Sequence, residues 1–235
     1  FQEIYDFQPK AVVEPGTYFL PHLEDWLETN KTRSFFISVV PWSRHAYFKV
    51  RQGYTDSDLV ENYCGNLGRR LGAEAFSKLR NEEKKIRNRD RAYIEAIVRG
   101  EAAFQDKLLG ELLTKLQELE IHDETLLVVV GASGLELFQH GGVGVGHSLH
   151  NEMTSVPVLF VHPESWPQGV RVDRGAEIID VAPTILTAVG YSPPSAMKGG
   201  DLMGVVTSCT GSYNKLALTL SVVVILPSAN SVTIA

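Results

Sequence analysis

Three of the seven histidines, His140, His147 and His150, fall within eleven residues of one another and are interleaved with Gly141, Gly142, Gly144 and Gly146. Imidazole changes its charge near neutral pH, so such a cluster suits proton transfer or anion binding, and the glycines let backbone approach a ligand closely. Taken singly, each histidine is more often a packed or solvated residue than a ligand, and His140 and His150 read best as loop packing. The same stretch begins Gly131-Ala132-Ser133-Gly134-Leu135. That approaches the GxSxG nucleophile elbow but carries its second glycine one position early, which argues against a serine hydrolase. Gly142-x-Gly144-x-Gly146 is not GxGxxG, and no Lys-Ser/Thr follows it, which argues against a nucleotide phosphate site. Cys64 and Cys209 lie far apart, with neither a CxxC nor a zinc-ligand spacing.

The histidine-rich loop follows an apolar run, residues 125–130, that reads as a strand. An earlier run, residues 34–40, is β-branched and aromatic and is stopped by Pro41. This is the pattern of a buried parallel strand, and it delivers Trp42, Ser43, Arg44 and His45 at its end. Between the two, Tyr93, Ile97, Phe104, Leu108, Leu112, Leu116 and Leu119 recur at helical spacing over residues 89–120, with Gly100 as a candidate break. Strand, helix, strand predicts a right-handed parallel crossover, and ligands bind at the carboxyl ends of such strands. His45, Ser133 and His147 are therefore expected to converge on one concave surface. Shorter helices are expected around residues 23–27 and 56–64. A third apolar run covers residues 156–161, and a helix capped by Asp180, with Pro183 in its first turn, ends at Gly190. The apolar stretch at residues 216–226 is about half what a bilayer requires, so a strand pair or a disordered tail is expected there rather than a membrane span.

The chain has 235 residues, of which 44% are hydrophobic and 21% charged, a composition suited to an α/β domain with an ordinary core. Its net charge of −6 argues against a nucleic-acid partner. The one basic run (Lys84, Lys85, Arg87, Arg89, Arg91) is interleaved with acids and reads as a solvated helix face. No charged start followed by an apolar core precedes the first proline, so no secretory leader is expected in these residues.

The order of segments resembles the second half of the sulfatase domain of the alkaline-phosphatase-like superfamily. The similarity runs through Gly100-Glu101-Ala102-Ala103-Phe104-Gln105-Asp106 and Asp123-Glu124-Thr125-Leu126-Leu127-Val128-Val129-Val130, then His140-Gly141 and Gly146-His147-Ser148-Leu149-His150-Asn151-Glu152. It continues in Val156-Pro157-Val158-Leu159 and Ile179-Asp180-Val181-Ala182-Pro183-Thr184-Ile185-Leu186. The resemblance implies an α/β fold with a mainly parallel sheet flanked by helices, as a partial domain over residues 1–202, with residues 203–235 an unassigned tail. Complete members bind Ca²⁺ or Mg²⁺ through Asp-His-Gly or Asp-Asn-Gly at the end of the strand matching residues 125–130. Here Ala132 and Ser133 stand at those positions, so no metal cofactor is expected in this chain. The family's nucleophile lies in C/S-x-P-S-R, which neither Cys64 nor Cys209 matches. His45 and His147 fall where the family places its substrate-side residues, and an imidazolium there can neutralise a sulfate oxygen and protonate a leaving alcohol. The expected function is that of a sulfuric ester hydrolase family member inactive as this polypeptide. The alternatives are a non-catalytic pseudoenzyme that binds an anionic ester, and a phosphodiester or phosphonate hydrolase of the same superfamily. The expected partner is an anionic small molecule or sugar sulfate ester, and an unpaired sheet edge predicts self-association.

Overall fold

The computed structural model describes residues 19–39, 48–81, 86–131, 133–162, 169, 175–203 and 220–225. Two helices cover one face of a four-stranded sheet. The first, α1 (Phe19–Asn30), buries Leu20, Leu23 and Leu27, which recur at helical spacing. The strand β1 (Phe36–Val39) follows, and a small two-stranded sheet is formed by β2 (Phe48–Lys49) and β3 (Arg70–Leu71), with the short helices α2 (Ser57–Glu61) and α3 (Ala73–Asn81) around it.

The long helix α4 (Asn88–Glu118) is unbroken at Gly100. Gly100 is there for contact: a Cβ would land on Thr55 Oγ1 and lie 2.8 Å from Thr55 Cα. The helix serves two cores in succession. Its first half packs Tyr93, Ile94, Ile97 and Val98 with Phe48, Leu71, Phe76, Leu135, Phe138 and Val143. Its second half packs Phe104, Leu108, Leu112 and Leu116 with α1 and the sheet residues Val39, Leu127 and Val129. A buried ion pair anchors the junction, where Arg51 donates from Nε and Nη2 to the two carboxylate oxygens of Glu101, each at 2.7 Å.

Strand β4 (Leu126–Gly131) is buried throughout: Leu127 and Val129 face α4, while Leu126, Val128 and Val130 face the other layer. That layer is α6 (Val181–Ala188), which contributes Val181 and Ile185. Between these lie the hairpin strands β5 (Glu136–Leu137) and β6 (Val143–Gly144), the single turn α5 (Asn151–Thr154) and strand β7 (Val158–Val161). The last described element is β8 (Leu220–Ile225). The main sheet runs β1-β8-β4-β7.

The mixture of helices and strands is as expected for the α/β class, but the mainly parallel sheet is not. Every described pairing in this sheet is antiparallel: β1 with β8, β8 with β4, and β4 with β7. β1 and β4 do run in the same direction, with β8 between them; Val222 pairs with both Val39 and Val129. A continuous apolar run reports burial on two faces and carries no information about the direction of its neighbours. Nor is β1 fully buried, since it lies at the end of the described strand order and leaves Phe36 44% exposed. The stretch at residues 216–226 supplies one described strand rather than a pair. Asp180 does not cap α6 through its side chain but closes a 3₁₀ turn, Ile178–Asp180, its carboxylate accepting from the amides of Glu177 (2.8 Å) and Gly200 (2.7 Å). Among the described residues no helix is long and apolar enough to cross a membrane.

Candidate functional site

The loop after β4 is closed at its base by backbone. The Gly131 amide donates to Pro157 O at 2.9 Å, and the Gly134 amide donates to Met153 O at 3.0 Å. Only glycine suits position 134, because a Cβ would sit on the Glu152 carbonyl oxygen. The β5-β6 hairpin then packs Phe138 and Val143 into the core shared with α4, with Arg91 over the Phe138 ring at 4.6 Å. From α3, Arg80 donates to Val143 O at 3.0 Å.

Inside this hairpin sits Glu136, only 1% exposed. Its Oε1 accepts the amides of His140 (3.0 Å) and Gly142 (2.9 Å). Its Oε2 meets His147 Nε2 at 2.9 Å and accepts from Ser148 Oγ at 3.4 Å. Burial pushes the Glu136 pKa upward, but the Gly142 and His140 amides and the His147 ring outweigh it and hold the carboxyl below its ordinary value. The pair needs Gly142 as well, since a Cβ there would lie 2.5 Å from His147 Nε2 and 3.0 Å from Glu136 Oε2.

The three loop histidines thus divide. His147, its side chain 17% exposed, belongs to Glu136. His140 and His150 stack on each other with ring centroids 3.8 Å apart and planes 12° apart, and His140 Nδ1 lies 3.4 Å from Glu152 Oε2. Ser133 is half-buried beyond the end of β4. His45 and Ala132 lie outside the described residues, as does Cys209. The strands that precede the two loops nevertheless end on the same edge of the sheet, because β1 and β4 both run against β8. Glu136 is the residue that sequence reasoning missed. Its signal was a single acid set among Leu135, Leu137 and Phe138, a pattern that buries a charge if the apolar neighbours are buried.

The donors at the end of β4 do not suit a hard divalent cation, which prefers charged oxygens. Gly131, Ala132, Ser133 and Gly134 are neutral, and both oxygens of Glu136 are engaged within the loop. Among the described residues no group of three or more His, Cys, Asp or Glu side chains is placed to hold a metal ion.

The sulfatase family model matches residues 17–191, and the chain belongs to the sulfatase family. Among its curated relatives is an N-acetylglucosamine-6-O-sulfatase from Bacteroides thetaiotaomicron, 27% identical over 43% of this chain and 18% of that protein. A solved structure in complex with its substrate D-glucosamine-2-N,6-O-disulfate is 21% identical over 57% of this chain and 28% of the other, with a TM-score of 0.48. A phosphonate monoester hydrolase from Silicibacter pomeroyi is 23% identical over 57% of this chain and 26% of the other, with a TM-score of 0.49. The chain spans about a fifth of the length of the curated sulfatase it matches.

Proposed function

We propose that this chain is a sulfatase-family unit that holds an anionic sugar ester at the end of the sheet where β1 and β4 finish and does not hydrolyse it by itself. The observation that carries this reading is the chemistry at the end of β4. Four successive positions, Gly131 to Gly134, bring no charge, and the loop's buried carboxylate, Glu136, is spent on holding the loop together. A metal-activated attack on a sulfate ester would need carboxylate ligands that this set of donors does not supply. His45 and His147 are the residues proposed to contact the ester, and the shared direction of β1 and β4 supports placing their loops on one edge. The choice of a sulfated sugar rests on the likeness to the Bacteroides N-acetylglucosamine-6-O-sulfatase.

Calorimetry of the full chain with Ca²⁺ and with Mg²⁺ is expected to give no one-to-one binding, and an aryl sulfate no turnover, while N-acetylglucosamine 6-sulfate binds. Stoichiometric metal binding, or hydrolysis by the purified chain, would overturn the reading. A phosphonate monoester that displaces the sulfated sugar would extend the ligand class to phosphorus esters.

A further inference from the structure

Basic charge in this chain is gathered in one place. Residues 69–91 hold nine Lys and Arg against four Asp and Glu, a balance of +5 in a chain whose net charge is −6, and six of the twelve arginines fall there. The fold brings five of them around one end of α4. Arg87, Arg89 and Arg91 stand at the start of the helix. Arg89 Nη1 donates to Cys64 Sγ at 3.2 Å, Tyr63 stacks on Tyr93 with ring centroids 3.8 Å apart, and the charge of Arg69 is felt at Tyr93, so residues 63–69 and the start of α4 form one surface. Arg80 and Arg91 extend it onto the β5-β6 hairpin, the first through Val143 O at 3.0 Å and the second over the Phe138 ring at 4.6 Å.

This surface does not serve the fold. Cations at the start of a helix oppose its dipole. None of the five guanidinium groups joins an ion pair among the described residues. The acid between them, Asp90, is held instead by the Tyr63 hydroxyl at 2.6 Å and the Arg87 amide at 2.9 Å. Arg69, Arg87 and Arg89 are exposed, and Arg80 and Arg91 are half-buried. The second half of α4 packs on β4 and its first half on the hairpin that follows β4, so the arginines lie beyond the end of the sheet where β1 and β4 finish. A helix of 31 residues runs about 46 Å against about 20 Å for a strand of six, so the arginines stand well past the strand ends.

We infer that Arg69, Arg80, Arg87, Arg89 and Arg91 form a second anion-binding surface, which grips the sulfate groups of a glycan chain beyond the sugar held at the strand ends. The choice of a sulfated glycan over other polyanions rests on the reading of the site as a binder of sugar esters. The guanidinium fork offers two parallel N–H groups to an oxyanion and is weakly hydrated, which suits a row of sulfates. The ligand is then a multiply sulfated oligosaccharide rather than a single sugar.

Calorimetry of the full chain with a heparin-derived octasaccharide and with N-acetylglucosamine 6-sulfate tests this. The octasaccharide is expected to bind more tightly than the single sugar and to weaken steeply with added salt, as contacts between exposed charges do. Arg87→Ala combined with Arg89→Ala should weaken the octasaccharide by about tenfold, the loss of two charge-assisted contacts at an exposed surface, and leave the single sugar unchanged. Arg87→Lys with Arg89→Lys should restore part of that loss, since it keeps the charge without the fork. Failure of the octasaccharide to bind more tightly than the single sugar, an affinity untouched by the double alanine variant, or duplex DNA competing as well as the octasaccharide would overturn the inference. If the octasaccharide depends on the arginines while the single sugar does not bind, the single-ester reading fails and the arginine surface stands. Should the double variant fail to fold, the salt dependence and the DNA competition of the unaltered chain still decide.

Discussion

Glu136 gathers two backbone amides, an imidazole and a hydroxyl around one buried carboxylate, so removing it strands several donors at once. Glu136→Ala is expected to cost about 1.5–3 kcal/mol, the range for a hydrogen-bonded charge, measured by urea unfolding at neutral pH. The pH dependence follows from the depressed pKa. A carboxyl whose folded pKa lies below its unfolded value stabilises the fold above the unfolded value and loses that contribution as pH falls through the folded one. The advantage of the native chain over Glu136→Gln should therefore be full near neutrality and shrink as pH drops below about 4.3. An advantage that stays constant down to pH 3 would show that the carboxyl is not ionised in the fold. Gly142→Ala tests the same unit sterically, because its Cβ would press on both partners of the Glu136–His147 bond. It should loosen that pair and cost about 1–3 kcal/mol.

Among the elements, α4 offers a contrast between two glycines in one helix. Intrinsic propensity favours alanine over glycine by about 1 kcal/mol at either position. At Gly110 a Cβ meets nothing within 4 Å, so Gly110→Ala should raise stability by about 0.5–1 kcal/mol. At Gly100 the Cβ would meet the backbone of Thr55, whose turn is tied to Arg51 by an Arg51 N–H to Thr55 Oγ1 bond of 2.8 Å, so it yields little. Overpacking there outweighs the propensity gain, and Gly100→Ala should lower the unfolding midpoint. This helix was also the most legible part of the sequence, since its apolar period of 3.6 is a local property that survives any tertiary arrangement. The Asp180 cap was misread for a related reason: an Asp before a helix signals a cap only when the preceding residues are extended, and here they form a 3₁₀ turn. The Glu136–His147 contact was not legible, because the hairpin that closes it joins residues whose spacing carries no period.

At the scale of the whole molecule, the strand runs at residues 34–40, 125–130 and 156–161 were each visible, but their order and direction were not. Pairing depends on contacts between distant segments, and nothing in the run of residues 125–130 announces that its neighbours are β7 and β8. β8 is the element on which the sheet's continuity depends, hydrogen-bonded along β1 on one side and β4 on the other. Val223 pairs with Ser38 and with Val128 at once, so Val223→Pro removes a ladder donor from a central strand, where proline is not tolerated. The variant should expose two strand edges and self-associate more than the native chain in light scattering, with a broadened thermal transition. Equal scattering from both proteins would mean that β8 does not close the sheet in solution.

The position of β8 also sets a schedule for folding. Of the described elements it comes last along the chain, yet it occupies the middle of the sheet and joins Ser38 to Val223 across most of the sequence. β1 and β4 cannot be laid side by side beforehand, because the space between them belongs to a segment synthesised after every described helix is complete. Closing so long a loop before its contacts are gained makes this a high contact-order step, slower than the local assembly of α4 or of the Glu136 hairpin. A nascent chain would hold an assembled Glu136 hairpin while its sheet still waits for its centre.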